Sequence, residues 1–226
     1  MKVWLCQIVH SLRARRNKAL GEQLRVALTF VNDEIPCFIV CYNNRSYVAG
    51  MVRQLNKFGL TPIVFDNAST CTDTNKLLDS IHLNSAYVLK IGKNLRHKVG
   101  FLPGIYEHMP NIFAYTDPDL KFDDKLPSTF LETLRDLTDQ YAVFKAGLAL
   151  EIKSDGICNN LIINFKKCRS IPFKANYSIL EWEAVNWKFR LQRNDKLEVY
   201  AASVDTTFAV YNKGNYGGSF LDAVRV

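Results

Sequence analysis

The chain has 226 residues, of which 48% are hydrophobic, 23% charged and 12% aromatic; this suits one α/β domain and excludes collagen-like, low-complexity and wholly disordered classes. Its longest apolar runs, about eight residues, fall far short of the roughly 20 that a membrane-crossing helix needs. The net charge of +7 is concentrated at the start, where Lys2, Arg13, Arg15, Arg16, Lys18 and Arg25 face Glu22 alone, so the body lacks the basic stripe a nucleic-acid backbone demands and no nucleic acid is expected as a partner.

Residues 1–34 read as a basic amphipathic helical extension, because Trp4, Leu5, Ile8, Val9 and Leu12 recur at helical spacing and Leu20, Leu24, Ala27, Leu28 and Val31 do so again. A secretory leader carries its cations before its apolar run; here they follow it, so cytoplasmic residence is the expectation. The stripe has two readings: peripheral contact with the inner face of a membrane through residues 1–30, or a helix packed on its own domain with a solvated basic face. From Ile35 short apolar runs alternate with helical stretches, the βαβ signature. The expected elements are strand Pro36–Tyr42, helix Ser46–Phe58 closed by Gly59, strand Thr61–Phe65, helix Thr74–Ile81, and strands Ala86–Ile91 and Asn111–Thr116. A helix Ser128–Tyr141, a strand Ala142–Ile152, a helix over Leu180–Leu191 and a strand-like region Leu197–Tyr211 complete the series. With no repeat or linker, residues 35–226 form one α/β unit with a mainly parallel central sheet flanked by helices. The cysteines at 6, 37, 41, 71, 158 and 168 form no CxxC and read as reduced, mostly buried thiols.

The most informative segment is Asp117-Pro118-Asp119 after an apolar strand. Alternation along an extended chain makes Tyr115, Asp117 and Asp119 lean the same way, and Pro118 keeps Asp117 extended. Two neighbouring carboxylates repel unless a proton or cation lies between them, and a hard divalent ion is the natural occupant. The carboxyl end of a parallel strand is also where open α/β sheets bind ligands. The second landmark, Asp66-Asn67-Ala68-Ser69-Thr70, suits hydrogen bonding to a base or ribose, and equally an Asx-turn ahead of a helix. No GxGxxG, GxxxxGK[ST] or GxSxG motif is present, which removes nicotinamide-cofactor, P-loop and hydrolase-elbow readings. Gly214, Gly217 and Gly218 read as a loop.

Pro36 through Tyr42-Asn43-Asn44-Arg45, the Asp66–Thr70 run, Lys93-Asn94-Leu95-Arg96-His97, Tyr115 through Leu120, Lys145 through Leu150 and Val204 through Ala209 together resemble a glycosyltransferase of the GT-A fold, most like bacterial nucleotide-sugar transferases related to family two. The resemblance covers about residues 35–226 and implies a single GT-A-like (Rossmann-like) domain. It implies that Asp66 holds the nucleotide base with Asn67 beside it in the nucleotide site, that the backbone near Tyr42 and Asn43 lines the pocket, and that Asp117 and Asp119 serve the ribose and a Mn²⁺ or Mg²⁺ on the diphosphate. Asp119 is then the closer metal ligand. Arg96 and His97, with Lys93 and Lys98, are candidates for the diphosphate, a solvated basic loop being the other reading. Relatives commonly carry Gly where Arg96 stands. Asp205 matches a recurrent position whose role is open between donor sugar, metal and turn.

The chemistry so implied moves a sugar from a nucleoside diphosphate, a UDP-sugar being favoured, to an acceptor hydroxyl on a glycan or lipid-linked molecule, with inversion, in surface polysaccharide or glycolipid synthesis. The metal stabilises the departing diphosphate, and a base takes the acceptor proton. The resemblance puts that base some 60 residues beyond the metal pair, at Glu183 or Glu181, with Glu183 preferred; solvated helix acids are the competing reading. Relatives continue past the segment resembling Ser219–Val226 to a metal-binding His, and none of His10, His82, His97 and His108 lies in that region. The alternative function is therefore a non-catalytic nucleotide-sugar or glycan binding relative that lacks this His.

Overall fold

The computed structural model describes residues 19–150, 162–164, 176–178, 184, 186–193, 197–204, 207–219 and 222–226. Helix α1 (19–31) leads into strand β1 (Cys37–Cys41), followed by α2 (Arg45–Lys57), β2 (Ile63–Asp66), α3 (Thr72–Ile81), β3 (Tyr87–Lys90) and β4 (Ile112–Thr116). Helix α4 (Phe130–Gln140), β5 (Lys145–Gly147), β6 (Ile162–Asn164), β7 (Asn176–Ser178), β8 (Arg190–Arg193), β9 (Glu198–Ala201), β10 (Ala209–Asn212) and β11 (Ala223–Arg225) follow. Among the described residues nine strands form one sheet in the order β3-β2-β1-β4-β10-β5-β11-β9-β8, and β6 and β7 pair separately. The β3-β2-β1-β4 half is wholly parallel; beyond it β10 runs antiparallel to both β4 and β5, and β11 runs parallel to β5.

Strand β1, CFIVC, is buried at every position, as the continuous apolar run of a central parallel strand must be when helices cover both faces. Alternation sends Cys37, Ile39 and Cys41 to one side, where they join Val48, Met51, Val52 and Leu55 of α2, Leu78 of α3 and Phe130, Leu131, Leu134 and Leu137 of α4. Phe38 and Val40 go to the other side with Phe65, Phe113, Tyr115 and Tyr211. Helix α1 lies there, its Leu20, Leu24, Ala27 and Val31 buried in the same cluster. Gly21 lets it approach closely: a Cβ there would stand 2.1 Å from the His108 ring. The described part of the N-terminal segment is thus packed on the domain, while the cations Arg13 to Lys18 lie outside the described residues. Each fully buried Leu, Ile, Phe or Met side chain contributes about 1.5–3 kcal/mol, so the two apolar layers are the principal source of stability. No helix among the described residues is long and apolar enough to cross a membrane.

Three expected elements differ. The strand Ala142–Ile152 begins only at Lys145, because Ala142 takes a left-handed φ of 49° in the turn closing α4, where Val143 N donates to Thr138 O at 3.0 Å. Within the expected helix Leu180–Leu191, Arg190 and Leu191 belong to β8, since pairing with β9 offers the backbone partners that an isolated helix end lacks. The region Leu197–Tyr211 divides into β9 and β10, which lie apart in the sheet with β5 and β11 between them.

Candidate nucleotide-binding site

The chain passes from β1 outward to β2 and β3, then returns across the sheet to β4 on the other side of β1. The carboxyl ends of β1 and β4 therefore flank the topological switch point, where the connections diverge and leave a crevice. Register sets Thr116 beside Ile39, so Asp117 leaves the sheet level with the last residues of β1. Tyr42 and Asn43, Asp66 and Asn67, Arg96 and His97, and Asp117 and Asp119 all stand on the segments leaving the carboxyl ends of β1, β2, β3 and β4. Glu181, Glu183 and Asp205 lie outside the described residues.

Asp66, the last residue of β2, is 4% exposed. Its Oδ1 accepts from Ser69 N at 2.9 Å, the Asx-type turn that the sequence allows, with Ala68 held at a φ of 62° between them. Among the described residues its Oδ2 takes no hydrogen bond. Burial pushes the Cys41 thiol up, and the nearby Asp66 carboxylate adds to the shift. Asn43, itself left-handed at φ 57°, accepts at Oδ1 from Thr70 N (2.8 Å) and Cys71 N (2.9 Å), while its Nδ2 donates to Thr70 Oγ1 (3.0 Å). The loops after β1 and β2 are thereby locked together. Tyr42 is 44% exposed beside them.

Asn67 is 1% exposed, and both ends of its amide are engaged. Nδ2 donates to Arg96 O at 3.0 Å and Oδ1 accepts from Leu95 N at 3.3 Å, so the side chain ties the loop after β2 to the segment after β3. Arg96 has a φ of 66°, a left-handed conformation that glycine adopts freely and arginine rarely. On β4, the Tyr115 hydroxyl donates to His97 O at 2.7 Å and accepts from Gly100 N at 3.2 Å. Burial holds that hydroxyl well above the usual phenol range, with the Asp117 charge adding to it. Tethered by Asn67 after β2 and Tyr115 on β4, the segment after β3 runs back across the carboxyl edge of the sheet, with Lys93, Arg96, His97 and Lys98 exposed on it. The roles of Gly100 and the Tyr115 hydroxyl were not legible in the sequence, because each depends on a contact between segments 15 to 18 residues apart.

Asp117 is half-buried and Asp119 exposed, with the buried Pro118 between them. No group of three or more His, Cys, Asp or Glu side chains suited to a metal occurs among the described residues. Two carboxylates on one short segment nonetheless match what Mg²⁺ or Mn²⁺ takes from a protein when diphosphate oxygens and water complete the shell.

No protein-family model matches the sequence, and no curated protein matches it. Among solved structures the chain is similar to S. aureus TarS 1–349, with a TM-score of 0.44 and 11% identity over 80% of this chain and 48% of that one. The same fragment in complex with UDP-GlcNAc gives a TM-score of 0.43 and 11% identity over 80% of this chain and 46% of that one. The mannosyltransferase PcManGT from Pyrobaculum calidifontis, in complex with GDP-Man and Mn²⁺, gives 0.39 and 13% over 64% and 47%. The chain spans about half the length of these structures.

Proposed function

We propose that this chain is a metal-dependent nucleotide-sugar glycosyltransferase, transferring a sugar from a nucleoside diphosphate to an acceptor hydroxyl with inversion. The observation that supports it is the grouping at one switch point of Asp66 on β2, Asp117 and Asp119 after β4, and a cationic loop tethered across the sheet edge. Strands β2 and β4 are separated only by β1, so their ends lie about 10 Å apart, a span suited to a nucleoside laid from base to ribose. In this reading Asp66 holds the base through Oδ2, Tyr42 lines the pocket, Asp117 holds the ribose, and Arg96 and His97 meet the diphosphate. Asn43 and Asn67 brace the loops that do so. Mn²⁺ or Mg²⁺ would be held by Asp117 and Asp119, and when bound it supplies Lewis-acid stabilisation of the departing diphosphate. Glu183, or failing it Glu181, takes the acceptor proton; Asp205 serves the donor side. UDP-sugars are the favoured donors, and a glycan or lipid-linked molecule on the cytoplasmic face of a membrane is the acceptor in surface polysaccharide or glycolipid synthesis.

Isothermal titration with UDP in the presence and absence of Mn²⁺ tests the reading. Binding that strengthens with metal and weakens in Asp119→Ala is expected; no binding of UDP with Mn²⁺ present would remove it. Hydrolysis of UDP-sugars, lost in Asp119→Ala, distinguishes turnover from binding alone.

A further inference from the structure

Beyond Thr116 the segment carrying Asp117 and Asp119 is not part of any strand pairing among the described residues. At its far end Leu120 leans on the core, and two further contacts hold it. Phe122 is buried among the rings of Phe58, Phe130 and Phe208, at centroid distances of 6.2, 5.7 and 5.3 Å. Gln54, half-buried on α2, donates from Nε2 to Leu120 O at 3.0 Å and accepts at Oε1 from Phe122 N at 2.7 Å. Neither Leu120 O nor Phe122 N has a backbone partner among the described residues. One primary amide thus does for this segment what a neighbouring strand does elsewhere: it meets a carbonyl and an N–H two residues apart.

The two anchors act differently. Side-chain packing fixes where Phe122 and Leu120 sit, but apolar contact is non-directional and does not itself orient a peptide plane. The amide fixes the direction of one carbonyl and one N–H, and so the backbone torsions between them. Its platform is rigid, because Val48, Met51, Val52 and Leu55 bury α2 in the core. Asp117, Pro118 and Asp119 form a three-residue bridge strung between β4 and the Gln54-held Leu120, with Asp119 next to the bracket.

We infer that Gln54 is a positioning residue for the metal-binding pair, its amide aiming Asp119 so that both carboxylates can grip one cation. The inference rests on the glycosyltransferase reading, and its test separates the two. The full chain, as wild type, Gln54→Leu and Gln54→Glu, is titrated with UDP alone and with UDP plus Mn²⁺, and thermal unfolding is recorded for each. Gln54→Leu conserves volume and removes both bonds; Gln54→Glu keeps the acceptor for Phe122 N and loses the donor to Leu120 O. Both variants are expected to bind metal-free UDP within about twofold of wild type, and Gln54→Leu to lose about tenfold of the affinity that Mn²⁺ adds, with Gln54→Glu between. A purely structural role would lower the unfolding temperature and leave the metal increment intact. A folded Gln54→Leu with the full increment overturns the assignment, while a wild type with no metal-dependent UDP binding overturns the functional reading and this inference with it.

Discussion

Replacing Asn67 by leucine isolates the clamp on the segment after β3. The substitution keeps the buried volume approximately and deletes two amide contacts, to Arg96 O at 3.0 Å and Leu95 N at 3.3 Å. Each is worth about 1 kcal/mol net, since Leu95 is half-buried and Arg96 exposed, so water recovers part of what is lost. The left-handed Arg96 stores about 1 kcal/mol as well, but it does so in wild type and variant alike and drops out of the difference. Loop opening then becomes easier by about 2 kcal/mol, or roughly 30-fold in population. Trypsin reports it directly, because Lys93, Arg96 and Lys98 are its own cleavage sites. When opening and closing are fast, cleavage follows the population of the open form. Cutting at these three positions should accelerate about tenfold or more in Asn67→Leu, with cutting at Lys76 and Lys121 as internal references. An unchanged cleavage rate in the 93–98 segment would refute the clamp.

Three further outcomes bear on the same frame. Gly100→Ala sets a Cβ 2.6 Å from Tyr115 Cε2 and 3.3 Å from Phe65 Cε2, both in buried rings, and should cost about 1–3 kcal/mol in urea unfolding; a neutral result would place these rings elsewhere. Burial raises the Asp33 carboxyl above its ordinary value despite the bond from Thr61 N, so the native state binds that proton more tightly than the unfolded chain does. Its contribution to stability therefore falls as pH rises from the ordinary carboxyl value through the raised one; Asp33→Asn keeps an acceptor for Thr61 N and should be more stable relative to wild type at pH 7 than at about pH 3. A difference independent of pH would sink that assignment. The exposed Cys71 thiol is held below its ordinary value by backbone N–H contact with Thr74, whereas burial raises Cys37 and Cys41. Mass mapping after brief iodoacetamide treatment at neutral pH should find Cys71 alkylated and Cys37 and Cys41 protected until the chain unfolds; equal labelling of Cys37 would contradict its burial.

The parallel half of the sheet was legible because hydrophobic burial alone specifies it. CFIVC and IFAYT are apolar on both faces, too short for helices, and each is followed by a polar turn. The antiparallel half was not. Trp187 and Leu191 stand at helical spacing, yet Trp187, Phe189 and Leu191 also alternate with polar residues, and only pairing of Arg190 with Tyr200 decides between the periods. Strand β5 places Lys145 in a central position at 4% exposure, which no hydrophobic pattern announces; its Nζ donates to Val204 O, a contact 59 residues away. Asp66 and Asp117 were legible as acids closing apolar strands. The left-handed backbone at Ala68 and Arg96 was not, for neither residue type favours that conformation.

What holds the four site loops has a chemical logic of its own. The side chains of Asn43, Asn67 and Gln54 join segments 27 to 68 residues apart, and all three are neutral amides. A lysine in any of these places would pair with Asp66, Asp117 or Asp119 and compete with the cation those acids are proposed to bind; an aspartate would add repulsion to a site already rich in carboxylates. An amide carries both a donor and an acceptor, so it can satisfy a backbone N–H and a backbone carbonyl at once without altering the local charge. Because the folded chain makes these bonds before any ligand arrives, the entropy of ordering the loops is charged to folding, and a nucleotide meeting the switch point loses less affinity to it. On this logic Asn67→Asp, nearly identical in shape, should damage nucleotide binding more than Asn67→Leu does, since it removes the donor to Arg96 O and also adds a negative charge where a diphosphate is expected; UDP titration of the two variants side by side would show the reverse order if the bracing is only steric.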